Sequence, residues 1–321
     1  MKNKLSIFAA LCALAVLITA SPQVMASARE GLRLCGELIL PSLFPFFVVS
    51  SLLRRLGLPA RLGRHLEPVM RRCFHASGLG ASALLMGLTG GYPLGAACVA
   101  ELLRTGQLRR EEAEKLLTFC NNTGPAFLVG AIGGGVFRSS RLGLALYGIH
   151  ALSALLTGFI LRARESRPPA SSAPLIHPET SLSQALPGAV ADSVPAVLSV
   201  CGFVVCFTVF TALLDANGFL TAATALLSAR TGLERSWLRA LLCGFFELGS
   251  GVGALRGMAT TPLNLALSAA MVGWGGLSVL FQTMAQFADL DVKSAPHWAG
   301  RFLSACFSFV LAYGLGCLLK M

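Results

Sequence analysis

The stretch Gly87-Leu-Thr-Gly-Gly-Tyr-Pro-Leu-Gly-Ala96 is a glycine-rich, polar interruption inside apolar sequence, and it sets how this chain is read. A second break follows, Phe119-Cys-Asn-Asn-Thr-Gly-Pro-Ala-Phe127. Both have echoes in the second half: Gly244-Phe-Phe-Glu-Leu-Gly-Ser-Gly-Val-Gly-Ala254 and Gly273-Trp-Gly-Gly-Leu-Ser-Val-Leu-Phe-Gln-Thr-Met-Ala-Gln286. Hydrocarbon offers no hydrogen bonds to loose backbone. Irregular chain at membrane depth therefore survives only inside protein or beside a water-filled cavity. Broken hydrophobic segments at matching places in two halves point to a transporter-like solute site.

The surrounding composition supports a membrane setting. Hydrophobic residues make up 55% of the 321 and charged residues 13%. Apolar runs of bilayer-spanning length, roughly 17–25 residues, recur along the chain. A soluble chain of this size needs more charge to coat its surface. The expected fold class is all-α: a multi-pass transmembrane helical protein with two inverted repeats, each with a re-entrant hairpin and a broken helix.

The net charge of +11 follows from topology. Arginines cluster in short loops beside apolar segments, as the positive-inside rule expects. Arg54, Arg55, Arg61, Arg64, Arg71 and Arg72 form one such cytoplasmic cluster, with anionic membrane lipid as a second reading. No basic–aromatic interleaving is present, so no nucleic-acid partner is expected. The ten cysteines include no CxxC pair and sit mostly in apolar runs. They read as small buried hydrophobes, not as a disulfide framework or a zinc site.

Four regions follow. Residues 1–28 carry Lys2 and Lys4 before the apolar run Leu5 to Ala20. They fit a cleaved signal or a retained first span, and retention is favoured because the rest of the chain is membrane-embedded. Residues 29–164 form the first repeat. At its start, Ala28 to Glu37 either lies in the interface or extends the next helix. Residues 165–185 are a proline- and serine-rich linker that cannot build a core. Residues 186–321 form the second repeat. With one re-entrant hairpin assumed, the arginine positions make the spans at 142–161 and 194–214 cross in opposite senses. The connector after the second of these is then external, although it holds Arg230, Arg235 and Arg239.

The chemistry-bearing candidates lie in the breaks. Glu247 is preceded by apolar residues and glycine, and an intramembrane acid is functional by default, whereas pairing with Arg256 is the structural alternative. Ser250 sits beside it. Asn121, Asn122 and Thr123 offer donors and acceptors for a polar uncharged solute, or cap a broken helix. Thr89 and Tyr92 lie at the first hairpin tip. Gln282 shares a face with Gln286, for cavity lining or interhelical bonding. His150 reads as a packed, hydrogen-bonded residue, and the run Gly133 to Gly135 as close helix packing. No HExxH, GxSxG or paired-Asp motif occurs, so no enzyme is expected. No cofactor or metal is expected beyond a coupling Na+ or H+.

These motifs also carry a resemblance. Ser42-Leu-Phe-Pro-Phe-Phe47, Leu66-Glu-Pro-Val-Met70, Met86 to Ala96, Asn121-Asn-Thr-Gly-Pro125 and Phe246-Glu-Leu-Gly249 resemble the YlbJ-type sporulation integral membrane proteins of the nucleoside-recognition, or Gate, family. The resemblance runs from about residue 30 to the C-terminus. It implies a multi-pass inner-membrane protein of a spore-forming bacterium, linked to spore cortex formation. Gate domains are similar to the core of concentrative nucleoside transporters, which place an acid in both hairpins. Here the first hairpin has none. The expected role is to move or sense a small polar solute such as a nucleoside, the alternative being a non-transporting scaffold for cortex assembly. Homo-oligomers or sporulation membrane partners are compatible with both.

Overall fold

A computed structural model describes residues 2–162 and 181–321. The described residues are helical, with no strand among them. Helix α1 (Lys2–Thr19) precedes α2 (Ser21–Leu34). Helix α2 runs through a π-helical turn, Cys35–Ile39, into α3 (Leu40–Arg55), so the stretch from Ala28 to Glu37 extends the next helix. Its charges stay outside, with Arg33 paired to Glu30 and Glu37 on an exposed face.

Helix α4 (Leu58–Val69) ends in a second π-helical turn, Met70–Phe74. Helices α5 (Leu79–Gly90) and α6 (Leu94–Arg104) form a hairpin. Gly91 turns the chain at φ +86°, a conformation that glycine adopts freely. Gly87 and Gly95 let the arms close on each other and on the next segment. A Cβ on Gly95 would stand 3.0 Å from the Gly87 Cα and 2.1 Å from the Cys120 carbonyl oxygen. Helix α7 (Arg110–Leu116) starts with Glu111 and Glu112, acids that suit the positive end of a helix. The chain then leaves helix and resumes as the π-helical segment Ala126–Gly134. Helix α8 (Ser140–Ile160) follows, capped by the Ser139 hydroxyl. Gly133 packs on Gly143 of α8: its Cβ would lie 2.7 Å from the Gly143 Cα.

The second half contains α9 (Leu182–Ala216), α10 (Phe219–Thr231), α11 (Arg235–Phe246), α12 (Leu248–Gly253), α13 (Pro262–Trp274), α14 (Gly276–Ala285) and α15 (Ala295–Leu318). Helix α9 begins inside the stretch read as linker, and residues 165–180 of that stretch lie outside the described residues. At 1.5 Å per residue its 35 residues are about 52 Å long, more than the ~30 Å hydrocarbon core. It therefore starts well before the expected span at 194–214. At its far end Asp215 pairs with Arg239 of α11, which neutralises one arginine of the connector.

The order long helix, short helix, helical hairpin, interrupted helix, long helix thus occurs twice, as α3 to α8 and as α9 to α15. Among the described residues, four segments are long and apolar enough to cross a membrane: Ser140–Ile160, Leu182–Ala216, Pro262–Ala285 and Ala295–Leu318. The third contains the interruption between α13 and α14 and is the most enclosed by protein. Among the described residues, three apolar clusters hold the bundle: one around α4 to α7, one around α12, α13 and α8, and one between α3 and α9. Tyr92 of the first hairpin packs in the second cluster, so the halves interlock.

Candidate functional site

Every interruption of helix frees backbone groups, and at membrane depth these need partners. The break after α7 finds them on the two long helices α8 and α15. His297 Nδ1 donates to the Leu117 carbonyl at 2.8 Å, so that nitrogen carries the proton. His150 Nε2 accepts from the Thr123 N–H at 3.0 Å, which leaves its proton on Nδ1. His150 is thus the packed, hydrogen-bonded residue expected from the sequence. Asn122 Nδ2 closes on the Phe119 carbonyl at 2.8 Å.

Arg301 binds both breaks at once. It lies on α15, 1% exposed, and its Nε donates to the Gly273 carbonyl at 2.8 Å. Its other two nitrogens donate to the carbonyls of Asn121 and Gly273. Gly273 lies in the last turn of α13, where the helix dipole is negative, so a cation fits there. The Tyr92 ring faces the guanidinium at 5.5 Å, and the Tyr92 hydroxyl donates to the Val272 carbonyl at 3.1 Å. The sequence reading missed Arg301 and His297. The available signal was a lone charge inside an otherwise apolar span, the criterion that did single out Glu247.

Glu247 stands between α11 and α12, 4% exposed, with extended backbone at φ −140° and ψ 121°. Its carboxylate caps α12. It accepts from the Gly249 N–H at 2.8 Å, the Ser250 N–H at 2.6 Å and the Ser250 hydroxyl at 2.8 Å. These donors hold it, and the alternative partner Arg256 makes no ion pair with it. The second hairpin tip also rests on the break between α13 and α14: a Cβ on Gly276 would lie 3.1 Å from the Leu248 nitrogen.

A cavity of about 80 Å³ lies where the hairpin tips meet the breaks. Glu247, Thr123, Tyr92 and Gln282 line it together, with apolar walls from α3 and α9. Four of the eight residues singled out from sequence therefore share one space. Ser250 stands behind it, holding the Glu247 carboxylate. Asn121 is committed elsewhere: its Nδ2 donates to the Thr283 hydroxyl at 2.6 Å, and its backbone oxygen accepts from Arg301. Asn122 does not line the cavity, and its Oδ1 has no partner. The Thr89 hydroxyl donates within its own helix, to the Leu85 carbonyl at 2.7 Å. Gln282 Nε2 donates to the Ser278 hydroxyl at 3.2 Å, within α14 and not across helices.

Thr123 differs from these. It is 2% exposed, it lines the cavity, and its hydroxyl has no hydrogen-bond partner. Buried hydroxyls are mostly paired; those of Ser77, Thr208, Ser268, Ser304 and Ser308 are also without a partner, but of these residues Thr123 alone lines this cavity. No cluster of His, Cys, Asp and Glu suited to a metal ion occurs among the described residues.

The Gate family, described as nucleoside recognition, matches residues 38–136. The chain is 30% identical to the sporulation integral membrane protein YlbJ of Bacillus subtilis (strain 168), across 96% of this chain and 81% of that protein. No solved structure matches it.

Proposed function

The chain belongs to the YlbJ-type family of sporulation integral membrane proteins, and from that premise we propose that it moves or senses a small polar solute at the Glu247 cavity. The setting is the bacterial inner membrane, in support of cortex formation. The two runs of helices act as inverted repeats, and their hairpins are re-entrant. No bond of the solute is made or broken.

The unpartnered Thr123 hydroxyl carries this reading. A buried hydroxyl without a partner costs about 1–3 kcal/mol, a cost that a bound solute removes. Around it stand a carboxylate, an amide and a phenol from other elements. Such a set suits a solute rich in hydroxyl and amine groups, of which a nucleoside is one. The match of residues 38–136 to the nucleoside-recognition family points the same way. At about 80 Å³ the cavity holds a few waters at ~10–15 Å³ each, well short of the roughly 300 Å³ of a ligand pocket. Loading a nucleoside therefore requires the hairpin tips to part from the breaks. Coupling to sodium or a proton would run through the Glu247 carboxylate.

The test is a panel of nucleosides titrated against purified protein, wild type beside Thr123→Val. Valine keeps the shape and removes only the hydroxyl. Stability should hold or rise, while affinity falls about 2- to 10-fold for one lost hydrogen bond of ~0.5–1.5 kcal/mol. A panel that never binds, together with normal heat-resistant spores from Thr123→Val and Glu247→Gln strains at normal protein level, would overturn the proposal in favour of a scaffold.

A further inference from the structure

A second cavity, of about 210 Å³, lies toward the arginine-rich end of α3, α6 and α9. Its walls continue those of the Glu247 cavity one turn further along the same elements. Leu43 and Phe47 of α3 divide between the two spaces in this way. So do Val200 and Ala196 of α9, and Gln282 and Gln286 of α14 and its C-terminal residue. Four residues of helix advance about 6 Å. The two cavities therefore stack along one groove.

Apolar side chains line both cavities. Phe47 is 1% exposed and belongs to the cluster between α3 and α9. Leu94, the first residue of α6, packs on that cluster and fills the space over Gly90, where a Cβ would come within 2.3 Å of its Cδ1. Both residues line the second cavity, and their cluster supplies the apolar wall of the first.

The outer rim is polar and pinned. Asp192 of α9 is held by Arg54 at 2.9 Å, by Arg55 at 2.9 Å and by the Ser51 hydroxyl at 2.8 Å. Arg104 grips Asp289 at 2.7 Å and the Gln286 carbonyl at 2.7 Å. The arginines Arg54, Arg55 and Arg104 face the acids Asp192, Glu101 and Asp289 in equal number. A balanced rim favours hydrogen bonding to an uncharged solute over capture of an ion.

We propose that this second cavity is the cytoplasmic vestibule of the solute path, and that Phe47 and Leu94 form the apolar constriction between it and the Glu247 cavity. The side follows from the arginines that frame it. The inference rests on the proposed function only for what travels the path, since the path itself is a matter of access.

Access can be read without any solute. Single cysteines are placed at Gln286→Cys or Gln282→Cys after all ten native cysteines are replaced by serine or alanine. A membrane-impermeant maleimide is then applied to inside-out and right-side-out vesicles. Gln286→Cys should react in inside-out vesicles, and Gln282→Cys at least about tenfold more slowly, a barrier difference of ~1.4 kcal/mol. Phe47→Ala or Leu94→Ala should speed the Gln282→Cys reaction about tenfold and leave Gln286→Cys unchanged. Phe47→Leu serves if Phe47→Ala does not accumulate, with a smaller acceleration. Equal rates at both cysteines with Phe47 intact would overturn the proposal. So would no response to any constriction variant, or reaction of Gln286→Cys from the opposite face. Failure here leaves the Thr123→Val binding result standing, so the two readings fail separately.

Discussion

Substitutions at Glu247 separate the two tasks its carboxylate is assigned, and their sizes can be worked from its contacts. One oxygen accepts from Gly249 and the other from Ser250 twice. Glutamine has one acceptor oxygen. At best it keeps the two Ser250 bonds and turns its amide –NH2, a donor, toward the Gly249 N–H, also a donor. The lost charge-assisted bond is worth about 1.5–3 kcal/mol, and the two retained bonds weaken by about half. Relief from burying a charge offsets part of this. The net expectation for Glu247→Gln is a loss of about 1–3 kcal/mol. Aspartate caps helices well, so Glu247→Asp should stay within about 1 kcal/mol of wild type. Its carboxylate is one methylene shorter, and so it withdraws ~1.5 Å from the cavity. Solute affinity should therefore fall in both variants, while stability falls only in Glu247→Gln. The assay is unfolding in detergent followed by tryptophan fluorescence, with solute titration on the same samples. Trp274 is a local reporter, because it stacks on Phe245 at 5.5 Å and donates to the Phe245 carbonyl. If Glu247→Gln unfolds with wild type, the cap account is wrong. If Glu247→Asp binds solute as wild type does, the carboxylate acts only as a cap.

Gly95→Ala should prevent accumulation of monodisperse protein, since its Cβ would stand 2.1 Å from the Cys120 carbonyl oxygen. Gly253→Ala, with nothing within 4 Å, is the tolerated control, both read by size-exclusion profile. Tyr92→Phe removes the bond from the first hairpin to the Val272 carbonyl and should cost about 0.5–1.5 kcal/mol in detergent unfolding, with no loss of assembly. The Arg104 guanidinium, by hydrogen bonding, holds the Asp289 carboxyl down at about 2. A depressed folded value means stability that is present above the unfolded value near ~3.9 and is lost as pH falls through about 2. Asp289→Asn should therefore melt below wild type at neutral pH, and the gap should close in strong acid.

How much of this could be read from the chain alone differs between elements. The helical hairpins and interrupted helices were legible because glycine, proline and asparagine inside apolar sequence break helices locally. Glu247 was legible because a carboxylate among apolar residues stands out at any position. The π-helical turn joining α2 to α3 and the early start of α9 were not, because neither breaks the apolar pattern that sequence reading follows.

Local chemistry in the sequence by itself determined the membrane class, the places where helix fails and the polar residues exposed by those failures. Which of those residues face the cavity was decided only in three dimensions. Asn121 and Thr123 are equally polar and two positions apart. Asn121 spends its amide on Thr283, 162 residues away, whereas the Thr123 hydroxyl is left without a partner. Arg301 and His297 reach the Asn121 and Leu117 carbonyls, at the break after α7, from 180 residues further along the chain. A broken helix announces that its backbone needs partners, but packing of the long helices selects them and decides which polar side chains meet at the cavity.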